Sequence, residues 1–262
     1  MNVLKRKPYV IAVSNQKGGV GTTTTAINIA TALAAAGRRV LLIDLDPQGN
    51  ATVSLGVSRA KAAKNAYDVL MGAATISSAI IWTKIPNLSI IASSKDLAGA
   101  DFELAQKDAP QFFLKNAFGR ESLAYDYIFI DCPPSVGMLT VNALVAAGGV
   151  MIPVQCEYLA LEGLADLMKT VERVHRNLNR DLTIQGIVLT MYDGRTGLSE
   201  TVAQDVRGYF GDKVYKTVIP RNVRVSEAPS HGKPILLYDF KSKGSQAYIA
   251  LAAEILKQEV RK

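Results

Sequence analysis

The sequence predicts an α/β protein with one doubly wound, mostly parallel twisted sheet and helices on both faces. Three observations indicate this class. Short apolar runs alternate with helical patterns along the 262 residues, a glycine-rich turn separates the first apolar run from the first helical pattern, and aspartates close two of the runs. We expect a single domain over residues 1–262, with ligands at the carboxyl ends of the strands.

Seven apolar runs read as strands, because most are short and continuously apolar, as strands of a parallel sheet buried on both faces are. They cover residues 9–14, 40–44, 88–92, 127–131, 150–154, 184–190 and 214–219. The clearest helical pattern is a stripe with a period of 3.6 residues between Leu161 and Leu178. His175 lies on or beside this stripe, and we expect it to be a packed or edge residue rather than a ligand.

The composition is that of an ordinary soluble protein, with 48% hydrophobic and 20% charged residues. No apolar run approaches the roughly 20 residues of a membrane span, so we expect no membrane partner. Residues 1–7 are basic but lead straight into a strand, unlike a signal peptide. Two cysteines, Cys132 and Cys156, are typical of a reducing cytosol. The net charge of +7 favours an acidic partner such as DNA.

The glycine-rich turn nearly builds a phosphate site. It follows the first predicted strand and precedes a helical pattern over residues 26–36, which is the order that such a site needs. Glycines let backbone N–H groups approach phosphate oxygens, and the helix N-terminus adds a favourable dipole. A P-loop also has a lysine where this chain has Thr22. The turn consists of Lys17, Gly18, Gly19, Val20, Gly21, Thr22, Thr23 and Thr24.

Aspartates end two of the predicted strands. Asp44 and Asp46 close the second strand, and Asp131 closes the fourth. A carboxylate at such a position beside a phosphate loop can hold Mg²⁺, and a second carboxylate two residues on can orient an attacking water. A lone aspartate there is more often a helix cap or a turn residue. Three of them together with a glycine-rich loop favour the site.

The motifs together resemble the ParA/Soj-type partition ATPases of the ParA/MinD superfamily, and the resemblance covers nearly the whole chain. The turn matches seven of eight positions of the deviant Walker A pattern KGGxGKTT, counting the x. The other matching segments are residues 44–50 (DLDPQGN), 131–135 (DCPPS), 153–157 (PVQCE), 190–195 (TMYDGR) and 218–224 (VIPRNVR).

The resemblance implies Mg-ATP as cofactor and a role for each matching residue. Residues 18–24 would surround the phosphates, and Lys17 would reach the partner's phosphates across an ATP-sandwiched homodimer. Thr23 would bind Mg²⁺, with Asp44 and Asp131 near the metal, and Asp46 would position the hydrolytic water. Pro220 and Asn222 would lie near the adenine. Hydrolysis would be stimulated by a ParB-type centromere-binding protein, in the cytoplasm at the nucleoid.

Basic residues also point to nonspecific double-stranded DNA. Residues 213–243 hold seven lysines and arginines against two acidic residues, and Arg195 follows a predicted Asp-Gly turn. Such charges neutralise phosphates without reading sequence, although charge alone fits a solvated basic surface equally well. The resemblance implies that Arg195, Arg221 and Arg224 belong to the DNA surface.

Thr22 departs from the family pattern, and a neutral, short side chain cannot supply the charge of the P-loop lysine. We expect weakened nucleotide binding and slow or absent hydrolysis. Three explanations stay open at this point: a natural variant with weak hydrolysis, a substitution in a working ATPase, and partial cover of the gap by Lys17 from a partner chain.

Two other function classes remain as alternatives. A membrane-associated positioning ATPase of the MinD kind shares the loop, but the end of this chain reads as a core-packing helix rather than an amphipathic basic one. A nitrogenase-reductase-like iron–sulfur carrier shares the fold and uses cysteines. Here Cys132 follows Asp131 directly, yet Cys132 and Cys156 are more often ordinary buried thiols.

Overall fold

The computed structural model describes residues 7–158 and 160–259, with one seven-stranded sheet in that part of the chain. The sheet order is β3-β4-β2-β5-β1-β6-β7, and every neighbouring pair is parallel except β3 with β4. The predicted mostly parallel, doubly wound sheet is confirmed. The strands are β1 Tyr9–Val13, β2 Val40–Asp44, β3 Ile80–Trp82, β4 Leu88–Ile91, β5 Tyr127–Asp131, β6 Gly149–Gln155 and β7 Thr183–Thr190.

The described residues also form twelve α-helices and four 3₁₀ turns, which lie between the strands or after β7. The helices are α1 Thr22–Ala35, α2 Asn50–Ser54, α3 Ala66–Leu70, α4 Ile76–Ala79, α5 Leu97–Ala105, α6 Phe113–Gly119, α7 Met138–Ala146, α8 Ala160–Asn177, α9 Gly197–Phe210, α10 Val223–Glu227, α11 Ile235–Tyr238 and α12 Lys243–Glu259. No helix among the described residues is both long and apolar enough to cross a bilayer. Most of the N-terminal segment 1–7 lies outside the described residues.

Two hydrophobic cores lie on opposite faces of the sheet. Along β1, Ile11 and Val13 belong to one core and Ala12 to the other, because successive side chains of a strand point to opposite faces. Helices α1 and α12 cover the first face, and α5 to α9 cover the second. The continuous apolar runs of the sequence are therefore explained by burial on both sides.

Six of the seven predicted strands are confirmed, and the seventh, residues 214–219, is wrong. This segment forms no strand: Val214 makes an isolated bridge with Ile187, and Tyr215 and Ile219 donate their N–H groups to the carbonyls of Ile187 and Leu189 in β7 at 3.0 and 2.8 Å. A distant side chain takes up its middle residues, since the Glu254 carboxylate accepts the backbone N–H groups of residues 216 and 217 at 2.8 and 3.1 Å. The short antiparallel edge strand β3 was not predicted.

The predicted long helix is confirmed as α8, and His175 lies in its last turn. Its Nδ1 is 3.0 Å from the carbonyl oxygen of Leu182, which precedes β7. The residue is exposed, and its ring bridges the helix to the segment just before the next strand. This position is that of an edge residue, within the expectation of a packed or edge residue.

Candidate functional site

The phosphate loop lies between β1 and α1, and glycines set its shape. Gly19 has φ +78° and Gly21 has φ +90°, a left-handed conformation that other residues rarely adopt. Gly21 precedes the first helical residue, Thr22, and no side chain caps this helix. The N–H groups of the first turn therefore remain available to an anion, with the helix dipole directed at it.

Two buried side chains hold this loop from opposite sides. Asn15 donates from Nδ2 to the Pro153 carbonyl at 2.6 Å and accepts the Lys17 N–H at 2.9 Å. On the other side the Thr190 hydroxyl donates to the Val20 carbonyl at 2.7 Å. Pro153 belongs to β6 and Thr190 to the neighbouring strand β7, so the sheet itself positions the loop.

Lys17 is exposed and faces the start of α8. It lines a shallow depression with Gln155, Ala160 and Gly163, and it forms no ion pair within the described part of the chain. An exposed cation at the rim of the loop can reach an anion outside its own chain.

Asp44 and Asp131 lie side by side at the ends of β2 and β5, where the two strands pair in register. Both side chains are fully buried. Asp44 accepts hydrogen bonds from the N–H and the hydroxyl of Thr52 at 2.7 and 2.6 Å. Burial raises the pKa of Asp44 to about 6, against these hydrogen bonds. The two aspartates that end predicted strands in the sequence are therefore neighbours in the structure.

Asp131 differs from Asp44 because neither of its oxygens accepts a hydrogen bond that satisfies normal geometry from a described residue. Burial, and after it the charge of Asp44, raise the pKa of Asp131 well above its ordinary value. The hydroxyl of Thr23 opposes this shift. A buried carboxyl without partners is costly, and it indicates a missing cation or hydrogen-bond donor.

These residues fit Mg²⁺, a hard cation that prefers oxygen ligands. The orphaned Asp131, its neighbour Asp44 and the Thr23 hydroxyl supply such oxygens. No cluster of three or more His, Cys, Asp or Glu side chains in the described ranges is arranged to hold a metal alone. This agrees with Mg²⁺ sites that use one or two carboxylates and complete the coordination with substrate phosphates and water.

Asp46 is buried two residues beyond β2. Its Oδ1 accepts the Gln48 N–H at 2.9 Å, and its backbone carbonyl accepts the Ser93 hydroxyl. Ser93 also donates its N–H to the Thr52 hydroxyl at 3.0 Å. One network thus fixes both Asp44 and Asp46. The sequence analysis missed Thr52 and Ser93. Ser93 could have been found by searching for polar residues just after β4, as was done for β2 and β5.

A cavity of about 220 Å³ opens beside the phosphate loop. Pro220 and Asn222, the two residues predicted to lie near the adenine, are both in its wall. Met191 in its wall has φ +50°, which is uncommon for methionine. Asn222 has a buried Oδ1 with no partner among the described residues, so an acceptor is available there. The cavity is lined by Gly21, Thr24, Thr190, Met191, Ile219, Pro220, Arg221, Asn222, Val225, Ser226, Pro229 and Tyr248.

The three arginines predicted to bind DNA are all exposed, and each is paired with a carboxylate of its own chain. Arg195 contacts Asp193 at 2.7 Å, Arg221 contacts Glu157 at 3.2 Å, and Arg224 contacts Glu227 at 2.9 Å and Asp239 at 3.7 Å. Counting charges over residues 213–243 alone missed the pairing of Arg221, because Glu157 lies outside that segment. Arg221 also lines the cavity beside the phosphate loop.

Both cysteines are buried free thiols. Burial raises the pKa of Cys132 well above its ordinary value and that of Cys156 to about 11. Thiols in such surroundings stay protonated at neutral pH and are poor nucleophiles.

A glycine loop that caps a helix, beside strand-end carboxylates and a cavity at the carboxyl edge of a parallel sheet, defines a nucleotide-binding protein of the P-loop class. A family model described as an AAA domain matches residues 8–184. The chain is 57% identical to the chromosome partitioning protein ParA of Caulobacter vibrioides over 252 residues, 95% of this chain and 94% of that protein.

It is also 54% identical to the sporulation initiation inhibitor protein Soj of Bacillus subtilis, over 94% of this chain and 97% of that protein. Among solved structures it matches a cobyrinic acid a,c-diamide synthase from Mycobacterium smegmatis with bound ATP analogue and magnesium. That match has a TM-score of 0.84, 38% identity and 95% coverage of both chains. The chain belongs to the ParA/Soj family of chromosome partitioning ATPases.

Proposed function

We propose that this chain is a DNA-partitioning switch that binds Mg-ATP, forms an ATP-sandwiched homodimer, and in that form binds DNA without sequence preference. The carrying observation is the orphaned, fully buried Asp131 beside Thr23 and the uncapped phosphate loop. The buried carboxyl has no cationic partner and the N–H groups of the loop have no anionic one. Mg²⁺ with a triphosphate supplies both partners. We propose that one domain spanning residues 1–262 carries this activity.

Each predicted residue has a defined task in this proposal. The backbone of residues 18–24 holds the phosphates, while Thr23, Asp131 and Asp44 hold Mg²⁺, which would neutralise phosphate charge. Asp46, fixed by Gln48 and Ser93, orients the attacking water. Pro220 and Asn222 contact the base in the neighbouring cavity. Lys17, which is exposed and forms no ion pair with a described side chain, reaches the phosphates of the second copy.

Thr22 makes hydrolysis the weak step. Among the described residues the Asp44, Asp46 and Asp131 carboxylates form no ion pair, so the site has no built-in cation where the P-loop lysine normally lies. Developing charge on the transferred phosphoryl group then relies on Mg²⁺, backbone N–H groups and Lys17 of the second copy.

The DNA surface combines Arg195, Arg221 and Arg224 from both copies, which neutralise phosphates and release counterions. A ParB-type centromere-binding protein stimulates hydrolysis, which separates the dimer and releases the DNA. The chain then acts in the cytoplasm, at the nucleoid. Repeated binding and release would move DNA cargo, chromosomal or plasmid.

The testing experiment measures the Kd for a nonspecific DNA duplex with and without Mg-ATP, for this chain and for Thr22→Lys. Tighter binding with Mg-ATP in both chains supports the switch and assigns Thr22 mainly to hydrolysis. A response only in Thr22→Lys shows that nucleotide binding itself requires the lysine. No response in either chain refutes the DNA-partitioning proposal.

A further inference from the structure

The carboxyl end of β7 contacts the phosphate loop through Thr190, a buried residue to which the sequence analysis assigned no role. Its hydroxyl donates to the Val20 carbonyl at 2.7 Å, 170 residues away in the chain. Its own carbonyl accepts the Cys156 N–H at 3.1 Å. One residue therefore ties the phosphate loop to β7 and to the segment between β6 and α8.

The residues that follow Thr190 hold two of the arginines. Tyr192 donates its N–H to the Ile219 carbonyl at 3.0 Å and accepts the N–H of Arg221 at 2.9 Å. Arg195 follows three residues later, where its backbone N–H donates to Asp193 at 3.1 Å. We call Thr190–Arg195 the coupling segment. It touches the phosphate loop at one end and positions Arg195 and Arg221 at the other.

The contact at Val20 is sensitive to a ligand in the loop because a peptide unit is rigid. The Val20 carbonyl and the Gly21 N–H belong to one planar group, so rotation of that N–H toward a phosphate also rotates the carbonyl. Such a rotation alters the hydrogen bond that this carbonyl accepts from the Thr190 hydroxyl. Met191, the next residue, has φ +50°, a strained conformation of a kind that concentrates at sites of conformational change.

We propose that the coupling segment transmits nucleotide occupancy to the DNA surface, and that Thr190 is the positioning residue that connects the two. This rests on the proposed function, since it presumes that Mg-ATP and DNA both bind. The Thr190 hydroxyl is bonded to the Val20 carbonyl, at the side of the cavity that we assign to the base. It sets where Arg195 and Arg221 lie once the phosphate loop is filled, so its loss weakens the coupling between sites.

The experiment compares the chain with Thr190→Val, which keeps the shape and loses the hydroxyl, and Thr190→Ser, which keeps the hydroxyl. Thr183→Val is the matched control, because Thr183 begins the same strand and its hydroxyl also donates to a carbonyl, that of Gly148 at 3.1 Å. The duplex Kd is measured with and without a saturating non-hydrolysable Mg-ATP analogue. Protein concentrations are chosen at which light scattering shows equal association states.

The coupling is measured as the Kd without the analogue divided by the Kd with it. We expect this ratio to fall at least about fivefold in Thr190→Val, which is the lower end of typical coupling between sites. Thr190→Ser and Thr183→Val should keep the ratio of the parent chain. An unchanged ratio in Thr190→Val overturns the proposal, and so does an equal loss in Thr183→Val. The proposed function itself is refuted instead if the duplex Kd ignores the analogue both in the parent chain and in Thr22→Lys.

Discussion

The two charged regions of this molecule are built in opposite ways. At the strand ends, Asp44 and Asp131 are fully buried, and neither they nor Asp46 form an ion pair with any described residue. On the surface, Arg195, Arg221 and Arg224 are exposed, and each has a carboxylate partner. The buried carboxyl groups have no cationic partner until a cation binds, whereas each exposed arginine has a carboxylate partner with which a polyanion must compete.

This difference teaches where a substitution should have a large effect. A buried charge without a partner carries a high desolvation cost, so the ligand that pairs with it gains strongly. An exposed ion pair contributes little, because water and salt screen it. Changes among the strand-end residues should therefore alter function by orders of magnitude, and changes among the surface pairs by small factors.

The largest effect is expected for Thr22→Lys, which supplies a cation to the region that lacks one. Restoring one preorganised charge at a phosphoryl-transfer site should raise the ATP turnover number by about 10² to 10³, as other such charges do. Steady-state ATPase assays with saturating Mg-ATP measure it. Thr201→Lys, on the exposed surface of α9, is the control for added charge. Turnover equal to that of the parent chain would refute the role given to Thr22.

Asp131→Asn removes one of the two adjacent buried carboxyl groups. Mg²⁺-dependent nucleotide binding should weaken about 10- to 100-fold, because an amide is a poor ligand for Mg²⁺. The nucleotide-free protein should become more stable by about 1 kcal/mol or more, since a buried carboxyl beside Asp44 is removed. Calorimetry gives the affinity and urea unfolding the stability.

The control for this variant is Asp205→Asn on the exposed face of α9, which should change neither quantity. If Asp131→Asn destabilises the nucleotide-free protein while leaving the nucleotide affinity intact, Asp131 is structural and the comparison between the two regions fails.

The strand-end site could be predicted from the sequence because its chemistry is local. The glycine turn, Asp44 and Asp131 each stand at the end of an apolar run, and parallel strands bring those ends together. Thr52, Ser93 and Thr190 could not be predicted as supports, since their hydroxyl partners are set by the packing of separate elements.

Two other features of the fold lay beyond sequence reasoning for the same reason. The apolar pattern of residues 214–219 is that of a strand, but the Glu254 carboxylate of α12 accepts two of its N–H groups. The arginines read as a free basic surface, yet Glu157 pairs with Arg221 from 64 residues away. Local patterns predict elements, and distant polar partners decide how those elements are used.

On the surface, Arg195→Glu and Arg224→Glu should each weaken duplex binding and lower the slope of log Kd against log salt by about 1 per lost phosphate contact. Fluorescence anisotropy over a salt series measures both. Arg180→Glu makes the same charge change on an exposed residue before β7, at the opposite end of that strand from Arg195. Slopes that stay unchanged in both variants would contradict a phosphate contact by either arginine.

The smallest effect is expected for Asp193→Asn, which removes the partner of Arg195. Freed from its counter-charge, Arg195 should bind duplex DNA about two- to fivefold more tightly, because an exposed pair is weak and easily exchanged. Asp181→Asn, before β7, makes the same change in net charge and should have no effect.

Hydrogen bonds from Arg195 lower the pKa of Asp193 to about 2. An acid whose pKa is lowered on folding keeps its pairing above the ordinary value near 4 and loses it as the pH falls through about 2. The difference between Asp193→Asn and the parent chain should therefore be constant from pH 5 to 8. A gain that varies across this range would mean that another titrating group controls Arg195, and a gain as large as the loss in Arg195→Glu would remove the distinction between the buried and the exposed region.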